Sequence, residues 1–282
     1  MAGFFGLFNY EKEGPGISKN APKKKTIVVF FETFFRNFWK FITINLVFSI
    51  LSVPVVTNGL AAAGMTNVTR NTARDKHSFG LSDFFDTIKK NWRQALPAGI
   101  INVLVYAVLI FDAFYFYNAG TGIMSTVGLG ITFAIFLVFS MANYFIWTLM
   151  ITFKFRLKQI YTNSLKFAII NLKKNLLCFF TILLVHAIYV LIAALLFKYI
   201  FFVITVELII YIITFPAFKF LLIQYCVFPA VKKYIIDPYY LEHPDEDIQK
   251  RRDLGIEVDE PKPVKPEGAE DEDEEPENVF ND

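Results

Sequence analysis

Long apolar segments constrain this chain more than any other feature of its sequence. A helix that crosses about 30 Å of hydrocarbon needs about 20 mainly apolar residues. Five stretches of the 282 residues meet that requirement: 38–55, 95–117, 123–153, 176–197 and 199–228. Hydrophobic residues make up 55% of the chain, above the level of soluble globular domains. The pattern predicts an all-α, polytopic helical membrane bundle and excludes an ordinary soluble enzyme, a disordered chain and a disulfide scaffold.

A sixth segment, residues 56–71, is weaker because it contains many small and polar residues. Basic residues concentrate on the cytoplasmic side of membrane proteins, so the Lys and Arg clusters should share one side. The clusters lie at residues 23–40, 70–93, 154–174 and 232–233. All four clusters lie on one side of the membrane only if residues 56–71 also cross it. We therefore expect about six transmembrane helices in the cell membrane, with both termini in the cytoplasm.

Charge divides the chain into three parts. Residues 1–32 carry five Lys and three acidic residues, residues 33–236 carry 18 basic and five acidic residues, and residues 237–282 carry five basic and 18 acidic residues. This partition predicts a cytoplasmic N-terminal arm (1–32), a basic transmembrane domain (33–236) and an acidic, disordered cytoplasmic tail (237–282). Because the basic clusters border apolar segments, they predict contact with the lipid bilayer rather than with nucleic acid.

Two amphipathic stretches precede apolar segments on the predicted cytoplasmic side. Residues 81–90 place Leu81, Phe84, Phe85 and Ile88 on one helical face, and residues 160–170 have a similar pattern. We expect both stretches to form helices at the cytoplasmic membrane interface, as connectors between spans.

Ionisable side chains inside the apolar segments are candidate functional groups, because each is costly to insert unless paired or hydrated. The candidate intramembrane polar sites are Asp112, His186, Glu207 and Lys219. Glu207 is the strongest candidate, with Lys198 and Asp112 as alternative partners. Asp112 has an alternative explanation, which is exposure to solvent at the outer membrane surface. For Lys219 we favour snorkelling to the inner interface, and for His186 we favour a hydrogen-bonded packing role.

No motif for catalysis or cofactor binding occurs in the sequence. The patterns H-E-x-x-H, G-x-S-x-G, the P-loop and the dinucleotide-binding glycines are absent. Cys178 and Cys226 have neither metal-ligand nor redox spacing. We therefore expect no enzyme activity, no catalytic or cofactor-binding residue, no cofactor and no metal. Pro216 predicts a kink in the last apolar segment, which marks binding sites in some transporters but is common in spanning helices.

One stretch near the N-terminus resembles a known family signature. It reads Asn45-Leu-Val-Phe-Ser-Ile-Leu-Ser-Val-Pro-Val-Val-Thr-Asn-Gly and is similar to the N-L-hydrophobic-L-P-V-V-T-x-G pattern of the YesL-like family. This family of bacterial integral membrane proteins, of unknown function, is widespread in Gram-positive bacteria. Residues 82–85 and 91–96 resemble its D-F-F and N-x-x-Q-A-L elements. The resemblance covers residues 4–235 and departs from the family at Asn58 and in the acidic tail.

The resemblance implies a bundle of about six spans and an association with carbohydrate uptake, often beside ABC-type sugar transporters. It supplies no catalytic residues. We therefore expect a non-enzymatic partner or regulator of carbohydrate uptake, with transporter subunits as partners. The alternative is a stand-alone small-solute carrier or channel that uses Asp112 and Glu207. A membrane-embedded enzyme is a third class, which no motif supports.

The signature residues Pro54, Thr57 and Gly59 predict a turn between two spans. Pro54 suits the outer end of the first helix, and Thr57 or Asn58 is expected to cap the second. Gly59 and other small residues would let the second helix pack closely against its neighbours. A binding role for the signature is the alternative.

Overall fold

The computed structural model describes residues 25–76, 78–120, 122–196 and 199–242. Every regular element in these ranges is helical, which confirms the all-α class. The chain divides into two compact units, Met1–Lys232 and Lys233–Asp282. Most of the predicted N-terminal arm and acidic tail lies outside the described residues, as does Lys198, one of the expected partners of Glu207.

The described part of the first unit contains eight α-helices. They are α1 (Thr26–Arg36), α2 (Phe38–Ser52), α3 (Asn58–Ala73), α4 (Leu81–Asn118), α5 (Ile123–Thr152), α6 (Leu157–Ile170), α7 (Leu172–Leu195) and α8 (Ile200–Val231), with a 3₁₀ turn at Val55–Thr57. A helix therefore lies at each of the six segments considered as spans.

Local chemistry accounts for several helix boundaries. Asn37 separates α1 from α2, and its side-chain amide donates to the carbonyl of Thr33 at 2.9 Å. Gly80 precedes α4 with φ +65°, and Gly120 lies between α4 and α5 with φ +95°. These positive angles favour glycine, which has no Cβ to clash with the backbone.

Four helices in the described part of the chain are long and apolar enough to cross a membrane: α4, α5, α7 and α8. Two other helices at expected spans do not meet this requirement. The apolar helix α2 has only 15 residues, and the 16 residues of α3 include many small and polar side chains. The membrane-like helical bundle is confirmed, and four of the about six expected spans have a helix that is long and apolar enough to cross a membrane.

Helix α3 packs against α2, α4, α5 and α8. Ten of its 16 residues are buried. Its Gly59 meets Gly99 of α4 so closely that a Cβ on Gly59 would lie 2.7 Å from the Cα of Gly99. Small side chains permit this approach of two helix backbones. Because protein rather than lipid would cover α3, its low hydrophobicity is compatible with a central position.

The two amphipathic stretches differ in the structure. Residues 157–170 form the separate helix α6, which ends before Asn171. Residues 81–90 are helical but not separate, because α4 continues for 38 residues through Pro97. The ring of Phe84 is fully buried and lies against Gly64 of α3. The expectation of a distinct interfacial helix is therefore wrong for residues 81–90, since no helix-ending residue interrupts the pattern.

The described part of the second unit comprises residues 233–242. It contains α9, Asp237–Glu242, and all but the first residue of the π-helical turn Lys232–Ile236. Within this unit the rings of Tyr239 and Tyr240 meet edge to face, with centroids 5.6 Å apart.

Candidate functional site

A partly open cavity of about 570 Å³, here called the bundle cavity, is lined by residues of α2, α3, α4, α5, α7 and α8. Its volume lies within the range of about 300–1,000 Å³ that is typical of small-ligand sites. Aromatic rings and polar side chains share its wall. The aromatic residues are Phe48, Tyr106, Phe136, Tyr144, Trp147, Phe179 and Phe220, and the polar residues include Ser52, Asn58, Thr66, Asn102, Ser140, Asn143, His186 and Lys219.

Asn102 of α4 is the most deeply buried amide in this wall, with 6% of its surface exposed. Its Oδ1 accepts a hydrogen bond from the hydroxyl of Tyr161 at 2.9 Å, and the same hydroxyl lies 3.1 Å from the carbonyl oxygen of Ala98. Its Nδ2 has no hydrogen-bond partner among the described residues. With Oδ1 as the acceptor of this bond, the amide N–H groups of Asn102 are the ones left without a partner.

Tyr161 belongs to α6, so this hydrogen bond connects the amphipathic connector with the cavity wall. Burial raises the pKa of Tyr161 to about 12 because an apolar environment disfavours the phenolate. The hydroxyl therefore keeps its proton, and can donate it to Asn102, throughout the physiological pH range.

Other polar side chains in the wall are held by hydrogen bonds. The hydroxyl of Tyr106 lies 3.3 Å from Oγ of Ser140. The indole N–H of Trp147 donates to Oδ1 of Asn143 at 3.0 Å. Ser52 differs, because its buried Oγ has no partner in the described part of the chain. Ser52 and Asn102 therefore leave hydrogen-bonding capacity unused in the same wall.

His186 and Lys219 are the two sequence-predicted candidates that the structure brings together in this cavity. Nδ1 of His186 lies 2.7 Å from the carbonyl oxygen of Ile182, so it is the donor nitrogen. The Nε2 atom then accepts from the hydroxyl of Tyr211 at 3.2 Å. His186 is therefore hydrogen bonded at both ring nitrogens.

Lys219 lies well inside α8. The residue lies 12 positions before the end of α8 at Val231, which corresponds to about 18 Å along the helix axis. Its side chain lines the bundle cavity instead. The sequence shows how far a lysine lies from a helix end but not whether a cavity lies beside it.

Asp112 and Glu207 do not line the bundle cavity in the structure. Asp112 is half-buried near the end of α4, and Glu207 is half-buried in the first half of α8. Oε1 of Glu207 is buried without a hydrogen-bond partner in the described ranges. No hydrogen bond joins it to Asp112, which was one of its two expected partners.

The signature turn connects α2 to α3. Pro54 follows the end of α2 in an extended conformation, as expected. The hydroxyl of Thr57 donates to the carbonyls of Leu51 and, at 2.8 Å, Pro54. Thr57 is the N-cap residue of α3, as expected, but it makes no side-chain capping hydrogen bond. Its hydroxyl instead bonds the carbonyls at the end of α2, which lie within reach.

Sequence reasoning missed Ser52, Asn102 and Tyr161. It considered only ionisable groups as candidates, whereas the polar atoms without partners in the cavity wall are neutral. The available signal was a neutral amide inside an apolar segment, such as Asn102. Among the described residues, no group of three or more His, Cys, Asp or Glu side chains could hold a metal ion.

Residues 41–113 match a family model described as "Protein of unknown function, DUF624". This segment includes most of α2, the signature turn, α3 and most of α4, and therefore Ser52, Asn58 and Asn102 of the cavity wall. Comparisons with curated proteins and with solved structures give no match. The name YesL-like is consistent with the matched family. Residues 41–113 are thus similar to the DUF624 family of proteins of unknown function.

Proposed function

We propose that this protein is a multi-pass protein of the cell membrane with six spans and both termini in the cytoplasm. The helices at all six segments support this topology. At 1.5 Å per residue, α2 and α3 are each about 22–24 Å long, and local thinning of the bilayer accommodates short helices at modest cost. The basic clusters of the sequence then lie on one side.

We further propose that the protein is a non-enzymatic partner or regulator of carbohydrate uptake by an ABC-type transporter. The YesL-like resemblance supplies the association with carbohydrate uptake, and the chemistry of the bundle cavity agrees with it. Aromatic faces pack against the C–H faces of sugars, while amides and hydroxyls bond sugar hydroxyl groups. The wall contains both types of group.

The hydrogen bond between Tyr161 and Asn102 is the observation that carries the regulatory proposal. A solute that engages the free amide N–H of Asn102 acts on the residue that Tyr161 holds in place. The buried face of α6 contains Ile160, Ser164 and Phe167, whereas Lys158 and Lys166 are exposed. Helix α6 therefore offers both a connection to the cavity and a free basic surface for a transporter subunit.

Purification in mild detergent from native membranes, followed by mass spectrometry, tests this proposal. Permease or ATPase subunits of a sugar transporter should accompany the wild-type protein in stoichiometric amounts. The pair Lys158→Glu and Lys166→Glu should lose them, and the matched pair Lys89→Glu and Lys90→Glu, exposed on α4, should retain them. Purification of a partner-free wild-type particle would contradict an accessory role.

The second candidate function is a stand-alone carrier that uses Asp112 and Glu207. The unpartnered buried oxygen of Glu207 favours it, because such a group is costly in a membrane unless function requires it. In liposomes, Glu207→Gln should abolish solute flux while leaving the amount of folded protein unchanged. Equal flux through the two proteins would eliminate this candidate.

A further inference from the structure

Lys219 brings an amine to the bundle cavity without a carboxylate that would balance its charged form. The described residues of the cavity wall include no Asp or Glu, and no salt bridge to Lys219 occurs in the described part of the structure. Glu207 lies 12 positions earlier on α8, or about 18 Å along the helix. Lys219 therefore lacks the counter-charge that a buried cation normally has.

The surroundings of Lys219 offer little compensation for its charge. Its Nζ lies 6.0 Å from the centre of the Phe220 ring, at the outer limit for a cation–π interaction. His186 cannot supply a negative charge, and its two ring nitrogens already have partners. A charge in a weakly polar environment is stabilised mainly by an opposite charge nearby. An anion in the cavity would provide one.

A second observation points to a ligand independently of the charge. The Nδ2 atom of Asn102 and the Oγ atom of Ser52 are buried and have no hydrogen-bond partner within the described ranges. Both residues line the same cavity as Lys219. Buried polar groups in native proteins almost always have partners. A ligand with hydroxyl groups would satisfy these two.

We propose that the bundle cavity binds a small hydroxylated anion, whose carboxylate or phosphate group pairs with Lys219 and whose hydroxyl groups bond Asn102 and Ser52. This inference rests on the proposed role of the cavity as a solute site and specifies the chemical class of the solute. The aromatic side chains of the wall cover the C–H faces of the ligand. An anionic lipid headgroup, such as phosphatidylglycerol, presents the same chemistry as a free solute.

The fluorescence of Trp147 can report the binding of a ligand in the cavity. Trp147 lines it and is 8% exposed, whereas Trp39 and Trp92, the other two tryptophans of the chain, are 80% and 51% exposed. Replacing Trp39 and Trp92 by Phe leaves Trp147 as the only source of tryptophan fluorescence. A ligand that enters the cavity then changes the emission of a residue in its wall.

The experiment uses the full-length protein in nanodiscs of neutral phosphatidylcholine. Gluconate and sorbitol are titrated separately and their affinities compared, because sorbitol has the same six-carbon hydroxylated chain without the charge. Glucose 6-phosphate and glucose form a second pair of this kind. A third arm adds phosphatidylglycerol to the nanodiscs. We expect a saturable change in Trp147 emission with an apparent affinity at least tenfold higher for an anion than for its neutral counterpart.

Variants of Lys219 determine whether the preference depends on its charge. Lys219→Gln should bind the anion and its neutral counterpart with equal affinity, whereas Lys219→Arg should still bind the anion more tightly. The exposed control Lys154→Gln should behave as wild type. The arginine variant keeps the test decisive if the glutamine variant does not fold. A response to phosphatidylglycerol alone, lost in Lys219→Gln, supports the anionic site and identifies a lipid as its ligand.

Two outcomes overturn the inference. Equal affinity for anions and neutral counterparts in the wild-type protein would leave a polar solute site without charge selection, so the proposed function would survive. The absence of any Trp147 response to gluconate, glucose 6-phosphate and phosphatidylglycerol would show that the cavity does not bind this class of ligand. Co-purification of transporter subunits tests the accessory role separately.

Discussion

Asn45 of α2 bridges the backbone of α8 on either side of Pro216. Its Nδ2 donates to the carbonyl of Ile213 at 2.6 Å, and its Oδ1 accepts from the N–H of Ala217 at 2.8 Å. These two backbone groups are four residues apart, the spacing of a helical hydrogen bond, and Pro216 between them has no N–H to donate. The first residue of the family-like stretch therefore anchors α2 to the irregular part of α8.

Replacing Asn45 by Ala should destabilise the protein. The substitution removes both bonds to α8 and leaves a buried cavity, so we expect a loss of about 1–3 kcal/mol in the free energy of unfolding. Thermal unfolding in detergent, followed by size exclusion of heated samples, measures the loss. Asn118→Ala is the control, because Asn118 is exposed and its side chain donates to Phe114 of its own helix. Equal stability of the two variants would contradict the anchoring role.

The effect of Asn45→Ala should shrink when Pro216 is also replaced by Ala. Alanine restores a backbone N–H and allows α8 to adopt regular helical bonding, which then depends less on an external side chain. A double-mutant cycle on the same thermal assay gives the coupling between the two positions. Additive effects of the two substitutions would show that Asn45 stabilises α8 independently of the proline.

Gly59→Ala should destabilise the contact between α3 and α4. The added Cβ would lie 2.7 Å from the Cα of Gly99, which is backbone and cannot move alone, so we expect a loss of about 1–3 kcal/mol. Gly130→Ala in α5 is the matched control, since a Cβ there meets nothing within 4 Å. That control should stabilise the protein by about 0.5–1 kcal/mol, because glycine is unfavourable inside a helix. The two variants should therefore shift the unfolding temperature in opposite directions.

The six-span topology predicts opposite labelling at two exposed positions. In a background with Cys178 and Cys226 replaced by Ala, Ala119→Cys lies in the outer α4–α5 turn and Lys158→Cys lies on cytoplasmic α6. An impermeant thiol reagent applied to intact cells should label the cysteine at position 119 and not the one at position 158. In permeabilised cells the reagent should label both. If α3 does not cross, the two positions exchange sides, so the reverse pattern would refute the topology.

Tyr161 should make stability depend on pH in the alkaline range. Its pKa is about 12 in the folded protein, against about 10 for an unperturbed tyrosine. Below pH 10 both states are protonated, and between pH 10 and 12 only the unfolded state loses the proton, so stability falls as pH rises. Tyr161→Phe should reduce this slope in urea denaturation of the reconstituted protein. An unchanged slope would show that the hydroxyl is not buried against Asn102.

The positions of the helices could be predicted from the sequence because they follow from local composition. Segments such as 123–153 coincide with α5 to within one residue, since about 20 apolar residues in a bilayer have few alternatives to a helix. The continuation of α4 through residues 81–97 could not be predicted in this way. In this part of α4, Phe84 packs against Gly64 of α3, a tertiary contact that local composition does not reveal.

The candidate site was predictable only in part, because it depends on which helix faces meet. His186 and Lys219 were identified as candidates from their position in apolar segments, and both line the bundle cavity. Asp112 and Glu207 were identified by the same rule and lie elsewhere. The bond between Tyr161 and Asn102 joins residues 59 positions apart, and no pattern in the sequence connects them.

The burial of α3 among its neighbours has a consequence for biosynthesis. A nascent segment enters the bilayer according to its own hydrophobicity, and residues such as Asn67, Arg70 and Asn71 make that tendency weak in α3. In the proposed topology, α3 must therefore enter together with α2 and α4, and the Gly59–Gly99 crossing is the contact that lets it do so. A substitution that blocks this crossing would therefore impair the insertion of α3 as well as the stability of the folded bundle.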